Sequence, residues 1–119
     1  MALRKTRPGA LELAARVTDP ASGRTLELST TEPGVQVYSG NYLDGSIAGK
    51  GGRLYRQSDA ICLEPQVWPD TPNRPDFPTA RLAPGEVYRH HSVYRFVTTG
   101  HNRVTISDGI EGAAGGKGT

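Results

Sequence analysis

The sequence predicts an all-β chain. Three observations carry that expectation. Apolar residues recur with period two in several short segments, 15 glycines and 9 prolines cut the 119 residues into short pieces, and no internal repeat, heptad or amphipathic helical stretch occurs. A hydrophobic fraction of 35% and a mean hydropathy of −0.50 lie below those of an average globular chain and argue against a helical bundle. At this length one compact core is the ceiling.

The first element is a hairpin. Residues 10 to 18 partly alternate apolar and polar side chains and end at Asp19-Pro20-Ala21-Ser22-Gly23, a cluster of turn formers; a second strand over Arg24 to Thr30 places Leu26 and Leu28 on one face. After Pro33-Gly34, the run Val35-Gln36-Val37-Tyr38 again has period two, with the valines facing one way and Gln36 and Tyr38 the other. Residues 39 to 53 hold five glycines and read as a loop too long and polar for a buried connection. A strand from Ala60 to Trp68 puts Ile61, Leu63 and Val67 on one face and Cys62, Glu64, Gln66 and Trp68 on the other. From 69 to 84 five prolines deny ladder donors, so an ordered irregular segment is expected. Val87 to Thr98, rich in β-branched and aromatic residues, is the last clear strand; 103 to 107 is a weaker one, and the tail from 109, with five glycines, reads as disordered.

The charge balance narrows function. Lys and Arg number 14 against 12 Asp and Glu, and the basic residues are scattered except for Arg4, Lys5 and Arg7, which leaves too little field for a nucleic-acid partner. The lone Cys62 cannot close an internal disulfide, and the amino terminus lacks a secretory pattern, so the cytoplasm is the expected compartment. No apolar run approaches the roughly 20 residues that span a bilayer. No Cys/His or paired-carboxylate spacing suggests a metal site, and no cofactor is expected.

The sharpest local feature is Cys62-Leu63-Glu64-Pro65-Gln66-Val67-Trp68, a carboxylate beside an amide and an indole on a mostly apolar strand. Pattern alone leaves two readings open. Glu64 is either a solvated glutamate on the outer face of an edge strand, the usual place for one, or a proton-transfer group on a cleft wall, where burial and neighbouring donors act in opposite senses on a carboxyl group. The glycines from 45 to 52 lack both the Lys-Ser ending of a phosphate loop and a helix to follow, so they read as an ordinary loop.

Four blocks, in order, resemble the aldose 1-epimerase family. They are Asp19-Pro20-Ala21-Ser22-Gly23-Arg24; Thr30-Thr31-Glu32-Pro33-Gly34-Val35-Gln36-Val37-Tyr38 continuing to Gly45; Cys62-Leu63-Glu64-Pro65-Gln66 with Pro69-Asp70, Asn73, Pro75 and Phe77-Pro78; and Leu82, Pro84-Gly85-Glu86 and Tyr88. The likeness runs from about residue 11 to 97. It implies an antiparallel β-sandwich forming part of a galactose mutarotase-like supersandwich. It also implies an isomerase that interconverts the α and β anomers of free hexoses such as galactose or glucose. The family's base matches Glu64, and the glutamine that binds sugar hydroxyls matches Gln36, whose amide offers both donor and acceptor. Trp68 and Tyr38 either pack on a sugar's apolar face or simply pack in the sheet.

The resemblance also implies what lies elsewhere. The histidines, the arginine and the aspartate that complete the family's sugar site fall upstream of the matched region, so Glu64 is expected to be half of an acid–base pair. His90, His91 and His101 match no catalytic position, and His90 and His91 would point to opposite faces of a strand. The expected organisation is a lead-in over 1–10, the carboxyl-terminal part of an aldose 1-epimerase domain over 11–98, and a weak strand with a flexible tail over 99–119. The partner is a small sugar, with neither nucleic acid nor membrane. Self-association through exposed sheet surface is a further expectation, because sheet cut from a larger whole leaves open edges. The alternative from a different class is a non-catalytic β-sandwich carbohydrate-binding module.

Overall fold

The computed structural model describes residues 1–98, and within them every regular element is a strand or a short 3-10 turn. The strands are β1 (Glu12–Thr18), β2 (Arg24–Thr30), β3 (Gly34–Tyr38), β4 (Asp44–Ala48), β5 (Leu54–Arg56), β6 (Cys62–Gln66) and β7 (Ser92–Thr98). They form an antiparallel three-stranded sheet in the order β1-β2-β7 and two antiparallel ribbons, β3-β6 and β4-β5. The all-β expectation holds. The expected strand at 103–107 and the tail lie outside the described residues.

The hairpin β1-β2 closes at the predicted turn. Asp19 Oδ1 accepts the Ala21 amide at 3.1 Å, Asp19 Oδ2 takes the Ser22 hydroxyl, and Gly23 sits at φ +67°, which favours glycine. The partial alternation of β1 has a cause. A bulge between Leu13 and Ala15 inserts Ala14 opposite no partner, so Ala14 and Ala15 are both buried. On the other face, Glu27 receives Arg16 from β1 and Arg95 from β7, at 2.8 and 3.1 Å, which ties the three strands by charge.

The core lies between this sheet and the β3-β6 ribbon. Ala14, Ala15 and Leu28 from the sheet meet Val35 and Leu63 from the ribbon, with Leu3, Val17 and Leu26 packed around them. Leu28 and Val35 are fully buried, as the period-two reading of their strands requires. Tyr94 of β7 crosses between the layers and donates its hydroxyl proton to the Leu63 carbonyl at 3.1 Å. The amino terminus docks beside β3: Val35 N donates to Met1 O at 3.0 Å and Leu3 N to Pro33 O at 2.9 Å.

Two elements differ from the sequence reading. The glycine-rich loop at 39–53 contains β4 and, through the 3-10 turn Lys50–Gly52, joins β5 in a second hairpin. The last strand starts at Ser92 rather than at 87, because Tyr88 and His90 turn their side chains to Glu32 instead of entering a ladder.

Candidate functional site

The antiparallel register of β3 and β6 sets Gln36 directly opposite Glu64, with Gly34 opposite Gln66 and Tyr38 opposite Cys62. Directly opposed residues share one face of a ribbon. Gln36, Glu64 and Gln66 therefore project together, away from Val35 and Leu63 in the core. Gln66 Nε2 donates to Gln36 Oε1 at 3.4 Å, so the acceptor of the Gln36 amide is engaged and its own NH2 remains to donate outward. Glu64 is exposed on this face.

Beyond β6 the chain folds back along the same face. The Trp68 indole N–H donates to the Pro33 carbonyl at 2.8 Å, and the ring meets Phe77 edge-on at 4.9 Å between centroids. Arg74 lies 4.5 Å above the Phe77 ring and pairs with Asp76 at 2.9 Å, which anchors the proline-rich segment. Trp68 lies so close to Gly34 that a Cβ there would fall 2.8 Å from its Cδ1. These groups border a groove of about 370 Å³ whose walls include Gln36, Gln66, Trp68 and Phe77. It has the composition of a small-molecule site, apolar and aromatic walls with a few amides. Glu64 does not line it but stands next to Gln36 across the ladder. Tyr38 stacks with Tyr42 instead, at 6.4 Å.

A second polar cluster gathers around Glu32. Glu32, 4% exposed, accepts the Tyr88 hydroxyl at 2.5 Å, and His90 Nδ1 is 3.2 Å from the same Oε1. The hydrogen bond to Glu32 pushes the Tyr88 phenol up to about 12, with burial adding to it. His90 Nε2 in turn lies 2.7 Å from Ser92 Oγ, which donates to the buried Thr30 hydroxyl at 2.8 Å. Lys5 adds its ammonium to the Thr30 carbonyl, and desolvation lowers its proton affinity.

The histidines thus have other company than Glu64. His90 belongs to the Glu32 cluster, His91 pairs through its backbone with Thr31, and His101 lies outside the described residues. No group of three or more His, Cys, Asp or Glu among the described residues is arranged to hold a metal ion.

Known proteins share much of this sequence. Residues 3–95 match the family model for aldose 1-epimerase. The chain belongs to the aldose 1-epimerase family. Among curated relatives of that family, galactose mutarotase of Mus musculus is 52% identical over 85 residues, covering 71% of this chain and 25% of the relative. Galactose mutarotase of Homo sapiens is 52% identical over 82 residues, 69% of this chain and 24% of the relative. Aldose 1-epimerase of Escherichia coli (strain K12) is 35% identical over 88 residues, 72% of this chain and 25% of the relative. The chain spans about a quarter of the length of these relatives.

Sequence reasoning named both Gln36 and Glu64, and the register places them side by side. It noted Gln66 and Trp68 as neighbours and quoted Phe77 within a family block, but gave Phe77 no place beside Trp68. It also missed the Glu32 cluster, since Glu32 in the Thr-Glu-Pro block carries no local sign of its distant partner.

Proposed function

We propose that this chain carries the base-bearing wall of an aldose 1-epimerase sugar site and serves the interconversion of α and β anomers of free hexoses such as galactose or glucose. The observation that carries the reading is the opposed pair Gln36–Glu64 on the face bordering the aromatic groove. Glu64 takes the proton from the anomeric hydroxyl as an acid protonates the ring oxygen; the C1–ring oxygen bond breaks and leaves an open-chain aldehyde. Rotation about C1–C2 turns the other face of the carbonyl to the C5 hydroxyl. Closure then reverses both proton transfers. Gln36 donates its free amide protons to sugar oxygens, and Trp68 offers its ring to the sugar's C–H face.

The proton donor in this scheme is a separate group, as none of the hydrogen bonds or ion pairs among the described residues brings a histidine to Glu64. General acid and general base each contribute about 10²–10⁴-fold, so a site with the base alone is slow. That same observation favours a second reading, a sugar-binding module without catalysis. Polarimetry on fresh α-D-glucose and α-D-galactose separates them: acceleration that vanishes in Glu64→Gln supports the epimerase, and sugar binding without acceleration supports the module. Neither binding nor acceleration overturns both.

The reading assigns residues 11–98 to the carboxyl-terminal part of the epimerase domain. Its partner is a small sugar rather than nucleic acid or membrane, and its compartment the cytoplasm, in keeping with an exposed free thiol at Cys62. No helix among the described residues is long and apolar enough to cross a membrane. Self-association is supported by β7, which among the described residues is an edge of the three-stranded sheet and exposes Val93, Tyr94 and Phe96, the last 77% accessible. A sedimentation profile that stays monomeric at high concentration overturns that part.

A further inference from the structure

The β4-β5 hairpin holds a charge pattern that neither the core nor the candidate sugar site uses. It borders a cavity of about 610 Å³ lined by Lys50, Arg53, Leu54, Tyr55, Arg56 and Asp59. Three cations thus surround one concavity against a single carboxylate, a surplus of two positive charges, equal to the net charge of the whole chain. Asp59 is already engaged. Its Oδ2 accepts the Arg56 backbone amide at 2.9 Å and Arg56 Nε at 3.4 Å, and the backbone bond above all holds its carboxyl below the usual range. The side chains of Lys50 and Arg53 make no hydrogen bond or ion pair with any described residue.

The walls are fixed by the turn. A Cβ on Gly49 would fall 1.9 Å from the Tyr55 hydroxyl, so the phenol rests directly on the Gly49 backbone, and a side chain there would have to displace it. Gly49 N also donates to Arg53 O at 2.8 Å, which closes the hairpin at the level of Arg53. Gly51 and Gly52 both adopt positive φ, +70° and +73°, and make the tight turn that carries Lys50 and Arg53 to the same cavity. Cations gathered in a concavity focus their field and raise the local concentration of anions. A guanidinium offers a planar fork to phosphate oxygens, and an ammonium adds a point charge.

We propose that this hairpin binds a small phosphomonoester dianion, with Arg53 and Lys50 on the phosphate oxygens. A phosphomonoester carries about −1.5 to −2 charges near neutral pH, which matches the surplus. The cavity exceeds the volume of the phosphate group, and Tyr55 and Leu54 offer surface to the organic body. The device differs from a phosphate loop because side chains rather than the backbone at a helix start supply the charge.

The test is a titration of the intact, isotope-labelled chain with glycerol 2-phosphate, followed by amide shifts at constant ionic strength. Saturable shifts at Gly49, Gly51, Gly52 and Tyr55 are expected. Lys50→Ala and Arg53→Ala each raise the dissociation constant roughly tenfold, the loss of about one charge-assisted hydrogen bond. Arg24→Ala, on a different sheet, leaves it unchanged. Lowering the pH from about 7.5 to about 5.5 weakens binding as the dianion takes up one proton and becomes a monoanion. Glycerol alone produces no shifts. Absence of saturation, shifts confined to other elements, or a constant insensitive to both hairpin variants overturns the proposal. Because the exposed hairpin side chains lie outside the core, preserved spectra elsewhere verify that the variants fold.

Discussion

The Tyr88 hydroxyl donates to Glu32 Oε1 at 2.5 Å across 56 positions of sequence, and this bond pins the segment before β7 against the corner between β2 and β3. Glu32 is almost wholly buried, so its carboxylate depends on the donors that reach it. Tyr88→Phe leaves that oxygen with His90 alone and is expected to lower unfolding stability by about 1–3 kcal/mol, the cost of an under-satisfied buried acceptor. Urea denaturation of the two proteins measures it; an unchanged midpoint sinks the assignment.

The same bond sets a dependence on alkali. The folded Tyr88 phenol ionises near 12, above the ordinary value of 10 that it regains on unfolding. A raised folded pKa means that its contribution is complete below about pH 10 and lost as the pH climbs toward 12. Stability is therefore expected to fall through that window, and the fall to shrink in Tyr88→Phe. Absorbance titration of the phenolates should show a late step that the variant lacks.

Gly34 is where the candidate groove meets the ladder. Its missing side chain leaves room for Trp68 Cδ1, and a methyl would also stand 3.2 Å from the Gln66 and Met1 carbonyls. Gly34→Ala is expected to push the indole off the Pro33 carbonyl and to cost about 1–3 kcal/mol through overpacking. Trp68 is the single tryptophan, so its fluorescence reports the displacement directly. An emission maximum identical to the parent's would show that the ring does not move.

The small core makes Leu28 its most sensitive point. Leu28 is fully buried at the junction of sheet and ribbon, whereas Leu26 is only packed against that cluster. Leu28→Ala is expected to cost about 2–5 kcal/mol and Leu26→Ala distinctly less. Equal losses in chemical denaturation would place the core elsewhere.

Much of this layout is legible in residue order, for identifiable reasons. Asp19 to Gly23 is a turn whose side chains bond their own backbone, and Val35 and Leu63 alternate with polar neighbours, so hairpin and ribbon faces follow from local chemistry. The β4-β5 hairpin is hidden because its glycines remove the side chains that would show a period. Ala14 escapes a strict alternation because a bulge leaves no trace in composition. Residues 87–91 look like strand by their β-branched and aromatic content, yet Tyr88 and His90 are claimed by a carboxylate far back in the chain. No local pattern encodes such a long-range contact. The pairing of Gln36 with Glu64 was half readable: each face follows from alternation, but their opposition depends on the register.

That opposition yields a separation of function from stability. Glu64 is exposed, and glutamine keeps its shape while removing the charge, so Glu64→Gln is expected to change unfolding stability by less than about 0.5 kcal/mol. Any mutarotation should nevertheless fall by about 10²-fold or more with the base removed. Gln66→Leu acts differently. It removes the donor that occupies Gln36 Oε1, leaving the Gln36 amide free to turn over and present its acceptor where it had presented NH2. The expected result is weaker galactose binding with Glu64 chemistry per bound sugar retained, read as a rise in KM at nearly constant kcat by polarimetry. A fall in kcat alone would mean that Gln66 acts on the proton transfer rather than on the orientation of Gln36.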